Sequence, residues 1–192
     1  VLIDEWGIDA AYSGSQKCLS CPPGLSPVTF SPRAIETIRK RNTPIQSWFL
    51  DLSLVMDYWS GDGARSYHHT APINAMYALH ESLLLVRDEG LENVWARHQT
   101  HHEALKAGLE KLGLTLLVEE PYRLPQMNSV LIPEALKARE GDIRKTLLNE
   151  YNLEIGAGLG ALAGKIWRIG LMGFGASEDN VRTCLSALEE VL

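Results

Sequence analysis

Asp9-Ala10-Ala11-Tyr12-Ser13-Gly14-Ser15-Gln16-Lys17 is the stretch on which the reading of the whole chain turns. Ile8 to Tyr12 is a short apolar run that reads as a strand, and Ser13-Gly14-Ser15 is a turn signal. The turn delivers a lysine. Backbone N–H groups exposed in such a turn can meet an anion. An amine held there can attack a carbonyl and form a Schiff base, provided its pKa is lowered. Spacing alone favours the plainer alternative, a surface lysine in a polar loop. Downstream, Pro22-Pro23-Gly24 is a second breaker and Leu25 to Phe30 reads as another strand. Ser31-Pro32 then offers an N-cap and a first-turn proline for a helix running to about Arg41.

Beyond this point aromatics are dense (Trp48, Phe49, Tyr58, Trp59, Tyr67), and glycines and polar residues from Ser60 to Ser66 mark a loop. Pro72 can open a long helix in which Ile73, Met76, Tyr77, Leu83 and Leu84 recur at helical spacing up to a natural stop at Gly90. Leu91, Val94, Trp95, His98, Leu105, Leu109 and Leu112 form a second stripe, ended by Gly113. Two long helices meeting near Gly90 suggest a domain junction. After it, Leu114–Val118, Met127–Ile132, Leu153–Ile155 and Lys165–Leu171 read as strands, and Asp142–Tyr151 reads as a helix. Ser177 caps a last helix that buries Val181, Cys184, Leu185 and Leu188. The second half is therefore expected to be an α+β unit with helices over a small sheet.

Composition narrows the function. Of 192 residues, 45% are apolar and 22% charged, which supports a packed core rather than disorder. A net charge of −6 argues against a nucleic-acid partner. No apolar run approaches the ~18–20 residues of a membrane span. Cys18, Cys21 and Cys184 form no disulfide framework and fit a reducing compartment. A cytoplasmic location is expected, with a peroxisomal or mitochondrial one left open. The opening Val1-Leu2-Ile3-Asp4 reads as a longer protein joined part-way.

Four further features carry possible chemistry. Tyr67-His68-His69-Thr70 combines two hydroxyls and two imidazoles that can bind phosphate or a metal, although neighbouring histidines in an extended segment should point apart. His98 and His102 share a helix face at zinc-ligand spacing, with His101 beside them. No His-Glu-x-x-His pattern is completed and no third ligand is evident, so a metal is disfavoured. Gly156-Ala157-Gly158-Leu159-Gly160 resembles a dinucleotide loop only loosely, because a strand rather than a helix should follow it. Its glycines fit a tight backbone approach. Arg168, between Trp167 and Ile169, either faces solvent or grips a carboxylate through two parallel hydrogen bonds.

Taken together, these residues resemble the class V aminotransferases. Asp9 to Lys17 followed by Pro22-Pro23-Gly24 is similar to their cofactor-lysine segment. Tyr67-His68-His69-Thr70, Gly90-Leu91-Glu92-Asn93 and Arg168-Ile169-Gly170-Leu171 occur in the order found in the alanine–glyoxylate and serine–pyruvate branch. The resemblance covers nearly the whole chain. It implies an α/β architecture, the C-terminal part of a fold type I pyridoxal-phosphate large domain over 1–90 and a small C-terminal α+β domain over 91–192. It implies a homodimer with the active site shared between subunits, acting on small amino acids and 2-oxo acids. By resemblance, Lys17 matches the lysine that carries pyridoxal 5'-phosphate and Gln16 a phosphate ligand. Tyr67 and Thr70 match residues reaching the phosphate from the neighbouring subunit, and Arg168 matches the arginine for the substrate α-carboxylate. Family members are roughly twice as long, so the remaining cofactor contacts are expected before Val1.

The activity implied is transfer of the amino group of alanine or serine to glyoxylate, giving glycine with pyruvate or hydroxypyruvate. Serine–pyruvate and hydroxykynurenine transamination are the alternatives within the family. Cysteine desulfuration is disfavoured, because Cys184 reads as buried on a helix rather than mobile on a loop. The rival of another class is an assembly module that kept the fold without catalysis. The presence of both Lys17 and Arg168 argues against it.

Overall fold

A computed structural model of the chain describes residues 1–60 and 66–192, so most of the loop expected over Ser60–Ser66 lies outside the described residues. The chain divides into two units, Val1–Gln16 with Cys21–His80, and Lys17–Ser20 with Glu81–Leu192.

In the first unit, β1 (Ala10–Tyr12) pairs antiparallel with β2 (Val28–Phe30), Ala10 facing Phe30 and Tyr12 facing Val28. The chain then enters α1 (Pro32–Arg39) through the expected cap, the Ser31 hydroxyl accepting from Ala34 N at 3.1 Å. That hydroxyl also donates to Asp9 Oδ1 at 2.6 Å, and the Arg33 guanidinium grips the same carboxylate. The Arg33 contact, then Ser31, holds the Asp9 carboxyl below its ordinary range. The start of β1 is thereby tied to the start of α1. A further helix, α2 (Leu52–Ser60), lies in the aromatic-rich stretch where no period announced it. This unit buries little apolar side chain of its own; among the described residues the buried hydrophobics are Cys21 and Val55.

Helix α3 (Ile73–Glu89) follows Pro72 as expected, and the boundary between the units falls within it. Its apolar stripe is not a core face in this chain. Ile73, Met76, Tyr77 and Leu83 are all exposed, Tyr77 by 72%. Helix α4 (Leu91–Lys111) buries only the C-terminal part of its stripe. His98, His102, Leu105 and Leu109 are buried, whereas Leu91 and Trp95 are exposed, because the core of the second unit begins further along the helix.

That core is built from α4, α5 (Glu140–Tyr151), α6 (Glu178–Val191) and a four-stranded antiparallel sheet. The strands are β3 (Thr115–Leu116), β4 (Met127–Leu131), β5 (Gly156–Ala157) and β6 (Ile166–Gly170), in the order β3-β4-β6-β5. Val130, Trp167 and Ile169 from the sheet pack with Leu105, Leu109, Ile143, Leu147, Val181, Cys184 and Leu188 from the helices. Complete burial of side chains such as Leu147 and Leu188 stabilises the unit by ~1.5–3 kcal/mol each. Ser177 caps α6 by accepting from Asn180 N, as its position implied. One strand differs from expectation: residues 153–155 are not a strand, and the pairing segment is Gly156–Ala157. Ile155 is instead buried in the core just before it.

The sheet has two faces because side chains alternate along a strand. Trp167 and Ile169 face the helices, opposite Val130 and Asn128. Arg168 therefore faces the other side, with Ser129 and Gly156 as its cross-strand neighbours.

Candidate active site

Lys17 is exposed at the head of a loop whose base is closed by Ser15. Ser15 is fully buried; its hydroxyl donates to Pro22 O at 2.8 Å, and Cys21 N donates to Ser15 O at 3.1 Å. Gln16 is exposed, with its side-chain amide folded back over Gly14. The tip of the loop turns tightly, Ser20 N donating to Lys17 O at 2.9 Å, with Ser20 in the left-handed region at φ 55°. A non-glycine residue rarely adopts that conformation unless its surroundings enforce it.

Those surroundings are explicit in the second unit. Phe174 N donates to Ser20 Oγ at 2.9 Å, and the Ser82 hydroxyl of α3 donates to Leu19 O. Gly173, at φ 55°, lies so close that a Cβ there would stand 2.6 Å from Cys18 O and overlap the Ser20 hydroxyl. The Gly173–Ala176 segment is in turn gripped from α4. Arg97 donates to Gly173 O at 2.8 Å and Ala176 O at 3.0 Å while forking onto Glu89. The Arg97 contact holds the Glu89 carboxyl below its ordinary range. The His98 ring completes the grip, with Gly173 N donating to Nε2 at 3.0 Å. In the sequence Ser15 stood out only as part of the turn, and Ser20, Ser82, Arg97 and Gly173 did not stand out. The only local trace was a glycine pair, Gly173 and Gly175, after a strand.

Arg168 is half-buried on the face of β6 away from the core. Its Nε donates to Ala157 O at 2.7 Å, which fixes the plane of the guanidinium. The side chain lies against Gly156, where a Cβ would stand 3.2 Å from a terminal guanidinium nitrogen. This is the close approach the glycine cluster implied. The two terminal nitrogens make no hydrogen bond to any described residue. A guanidinium anchored at Nε with its outer edge available has the geometry for a two-pronged carboxylate contact.

Tyr67 and Thr70 are brought together: their hydroxyls are 2.7 Å apart and both residues are exposed. They precede α3, whose first turn begins with Met76 N donating to Pro72 O. The two histidines between them do not point apart. His68 Nδ1 and His69 Nδ1 are 2.7 Å from each other, and the rings meet edge to face. His68 is buried, stacked on Trp48 at 4.1 Å with its Nε2 3.0 Å from Trp48 O. The segment bends over that stack instead of running extended, which is why alternation failed there. A carbonyl can only accept, so His68 donates from Nε2 to Trp48 O.

His98 and His102 have protein partners. His98 Nδ1 lies 2.7 Å from Val94 O, so the proton sits on Nδ1 and leaves Nε2 as the acceptor for Gly173. His102 Nδ1 lies 2.7 Å from Asn128 Oδ1, and the amide of Asn128 donates to Ile169 O at 3.3 Å. Cys184 is buried in α6, where desolvation pushes its thiol up to about 11.

Taken group by group, the residues fit the chemistry of pyridoxal phosphate: a primary amine suits an aldehyde, an amide and a hydroxyl pair suit a phosphate, and a guanidinium with its outer edge available suits a carboxylate.

The aminotransferase class-V family profile matches residues 1–179. The chain is 40% identical to (S)-ureidoglycine--glyoxylate transaminase of Bacillus subtilis over 210 residues, covering 100% of this chain and 50% of that protein. It is 41% identical to alanine--glyoxylate aminotransferase of Oryctolagus cuniculus over 194 residues, covering 100% of this chain and 49% of the relative. The crystal structure of alanine--glyoxylate aminotransferase from Nostoc sp. superposes with a TM-score of 0.93 at 50% identity, over 100% of this chain and 50% of that one. The chain thus spans about half the length of the relatives it matches. With the family profile covering nearly all of its residues, the chain belongs to the class V aminotransferases.

Proposed function

We propose that this chain is the C-terminal half of a pyridoxal-phosphate-dependent aminotransferase that uses glyoxylate as amino acceptor. The observation that carries the proposal is the Lys17 loop, a presented amine held in an enforced turn. Around residues 1–90 the expected role is completion of a large cofactor-binding domain. The shallow core of the first unit supports this, since Cys21 and Val55, its buried hydrophobics among the described residues, are too little to sustain a domain. Residues 91–192 would form the small domain. The exposed Met76, Tyr77 and Leu83 on α3 fit a face covered by the remainder of the protein or a second subunit, in keeping with a homodimer.

What the cofactor supplies when bound is an electron sink for negative charge at the substrate α-carbon. The Lys17 amine would hold its aldehyde, and Gln16, Tyr67 and Thr70 its phosphate. Once free, Lys17 Nζ would take the α-proton of the amino acid as general base and, as general acid, hand it on to the carbon of the cofactor's former aldehyde rather than back to the α-carbon. Arg168 fixes the α-carboxylate of donor and acceptor in turn. Such orientation contributes ~7–11 kcal/mol in favourable cases. In balance, alanine and glyoxylate give pyruvate and glycine; serine gives hydroxypyruvate in place of pyruvate.

Glyoxylate is common to the names of the relatives above, whereas the donors they name differ. A second donor therefore has a specific observation behind it: the 40% identity to an enzyme named for (S)-ureidoglycine. Assaying the complete protein with glyoxylate against alanine, serine and (S)-ureidoglycine, and measuring glycine, tests the proposal. Glycine formation from at least one donor is expected. No glycine from any of them would overturn it.

A further inference from the structure

We infer that His98 is a positioning residue for Lys17, acting through Gly173 and Ser20. The inference rests on Lys17 being the cofactor lysine, but its evidence is separate. His98 is 1% exposed and makes two hydrogen bonds that only one tautomer satisfies. Its Nδ1–H is committed to Val94 O, within its own helix, so the ring cannot rotate freely. Its Nε2 lone pair is thereby aimed at Gly173 N at 3.0 Å. Gly173 has no Cβ and is packed directly on the Cys18 carbonyl and the Ser20 hydroxyl. The next amide, Phe174 N, donates to Ser20 Oγ, and Ser20 N closes the turn on Lys17 O.

A rigid helix therefore fixes one loop, and that loop fixes the strained turn bearing Lys17. Arg97 secures the same loop by its carbonyls, at Gly173 O and Ala176 O, and leaves the Gly173 N–H to His98. Ser20 would relax from φ 55° toward negative φ if this support were loosened. Lys17, three residues before it, would then lose its fixed orientation. An amine that must both hold a cofactor and move a proton is sensitive to displacements on the order of 1 Å.

The test uses the complete cofactor-loaded protein and the variants His98→Leu, His98→Gln and Ser20→Ala. Leucine keeps bulk and removes the acceptor; glutamine keeps an acceptor near the place of Nε2. Amide exchange is read by mass spectrometry on peptides covering 17–22 and 172–176. For His98→Leu, exchange in both peptides should rise about 5- to 10-fold, the equivalent of one net hydrogen bond. His98→Gln should restore most of the protection. Ser20→Ala, which removes only the far end of the chain of contacts, should raise exchange at 17–22 while leaving 143–151 unchanged. With these, kcat should fall while KM for the donor stays near wild type, because Arg168 is untouched. Unchanged exchange at 17–22 in both His98→Leu and Ser20→Ala would overturn the inference. So would an equal rise throughout α5 and β4, which would make His98 a general core residue. Borohydride reduction of the wild type distinguishes the two levels: a pyridoxyl group elsewhere than Lys17 removes the proposed function and this role with it. With Lys17 labelled, unchanged exchange removes this role alone.

Discussion

Replacing Arg168 by alanine isolates the group assigned to the substrate carboxylate. Arg168 is anchored by one hydrogen bond, Nε to Ala157 O, and its terminal nitrogens are unbonded to any described residue. The stability cost of its loss should be small, about 1 kcal/mol for one partly exposed hydrogen bond. The kinetic cost should be far larger. Truncating one member of a desolvated, hydrogen-bonded ion pair costs about 2–5 kcal/mol, or roughly 30- to 5,000-fold in kcat/KM. Arg168→Lys should recover only part of this, because an ammonium cannot hold Ala157 O and a carboxylate in one plane. Gly156→Ala should give a milder loss of the same kind, its Cβ arriving 3.2 Å from a terminal nitrogen of Arg168. The assay follows each half-reaction of the complete protein separately, with amino donor and with glyoxylate. Both should be impaired, since both present a carboxylate, while cofactor attachment stays normal. Wild-type kcat/KM for Arg168→Ala in both half-reactions would show that the carboxylate is held elsewhere.

Three other outcomes are expected. Tyr67→Phe and Thr70→Ala, which dissolve the 2.7 Å hydroxyl pair, should each weaken retention of pyridoxal phosphate about 5- to 30-fold on spectroscopic titration, with pyridoxal lacking phosphate unaffected. The Glu89 carboxyl is depressed by Arg97, so its contribution is present above the unfolded pKa and lost as pH falls through the folded value. Denaturation of Glu89→Gln across a pH series should therefore show a deficit of about 0.5–1 kcal/mol at pH 7, after screening, that shrinks as the pH is lowered through the depressed folded value. Cys184, pushed up to about 11, holds only ~0.1% thiolate at pH 8 and should resist alkylation until the protein unfolds, whereas exposed Cys18 reacts in the native state.

Local signals made much of this legible. Ser31-Pro32 and Ser177 capped the helices they announced, and the stripe from His98 to Leu109 marked the buried part of α4. In the second unit, leucines and isoleucines at helical or alternating spacing sufficed because α4, α5, α6, β4 and β6 each bury one face, whereas the same spacing in α3 marks a stripe that stays exposed. Gly156–Ala157 escaped because a strand of one glycine and one alanine carries no β signature, and its pairing is enforced by β6. Helix α2 escaped because its aromatics follow no helical period. The support of Lys17 was invisible for a deeper reason. Phe174 and Ser20 are separated by 154 positions, and no spacing rule reports a bond across that distance. Likewise His98 and His102 showed metal-like spacing, while their actual partners, Gly173 and Asn128, lie on other elements.

Lys17 decides the account. The complete protein, loaded with pyridoxal phosphate, is reduced with borohydride, digested and analysed by tandem mass spectrometry, with Lys17→Ala carried in parallel. The pyridoxyl mass is expected on the peptide containing Gln16-Lys17-Cys18, with no label in Lys17→Ala and loss of transamination in that variant. A pyridoxyl group on any other lysine, or undiminished transamination by Lys17→Ala, would contradict it.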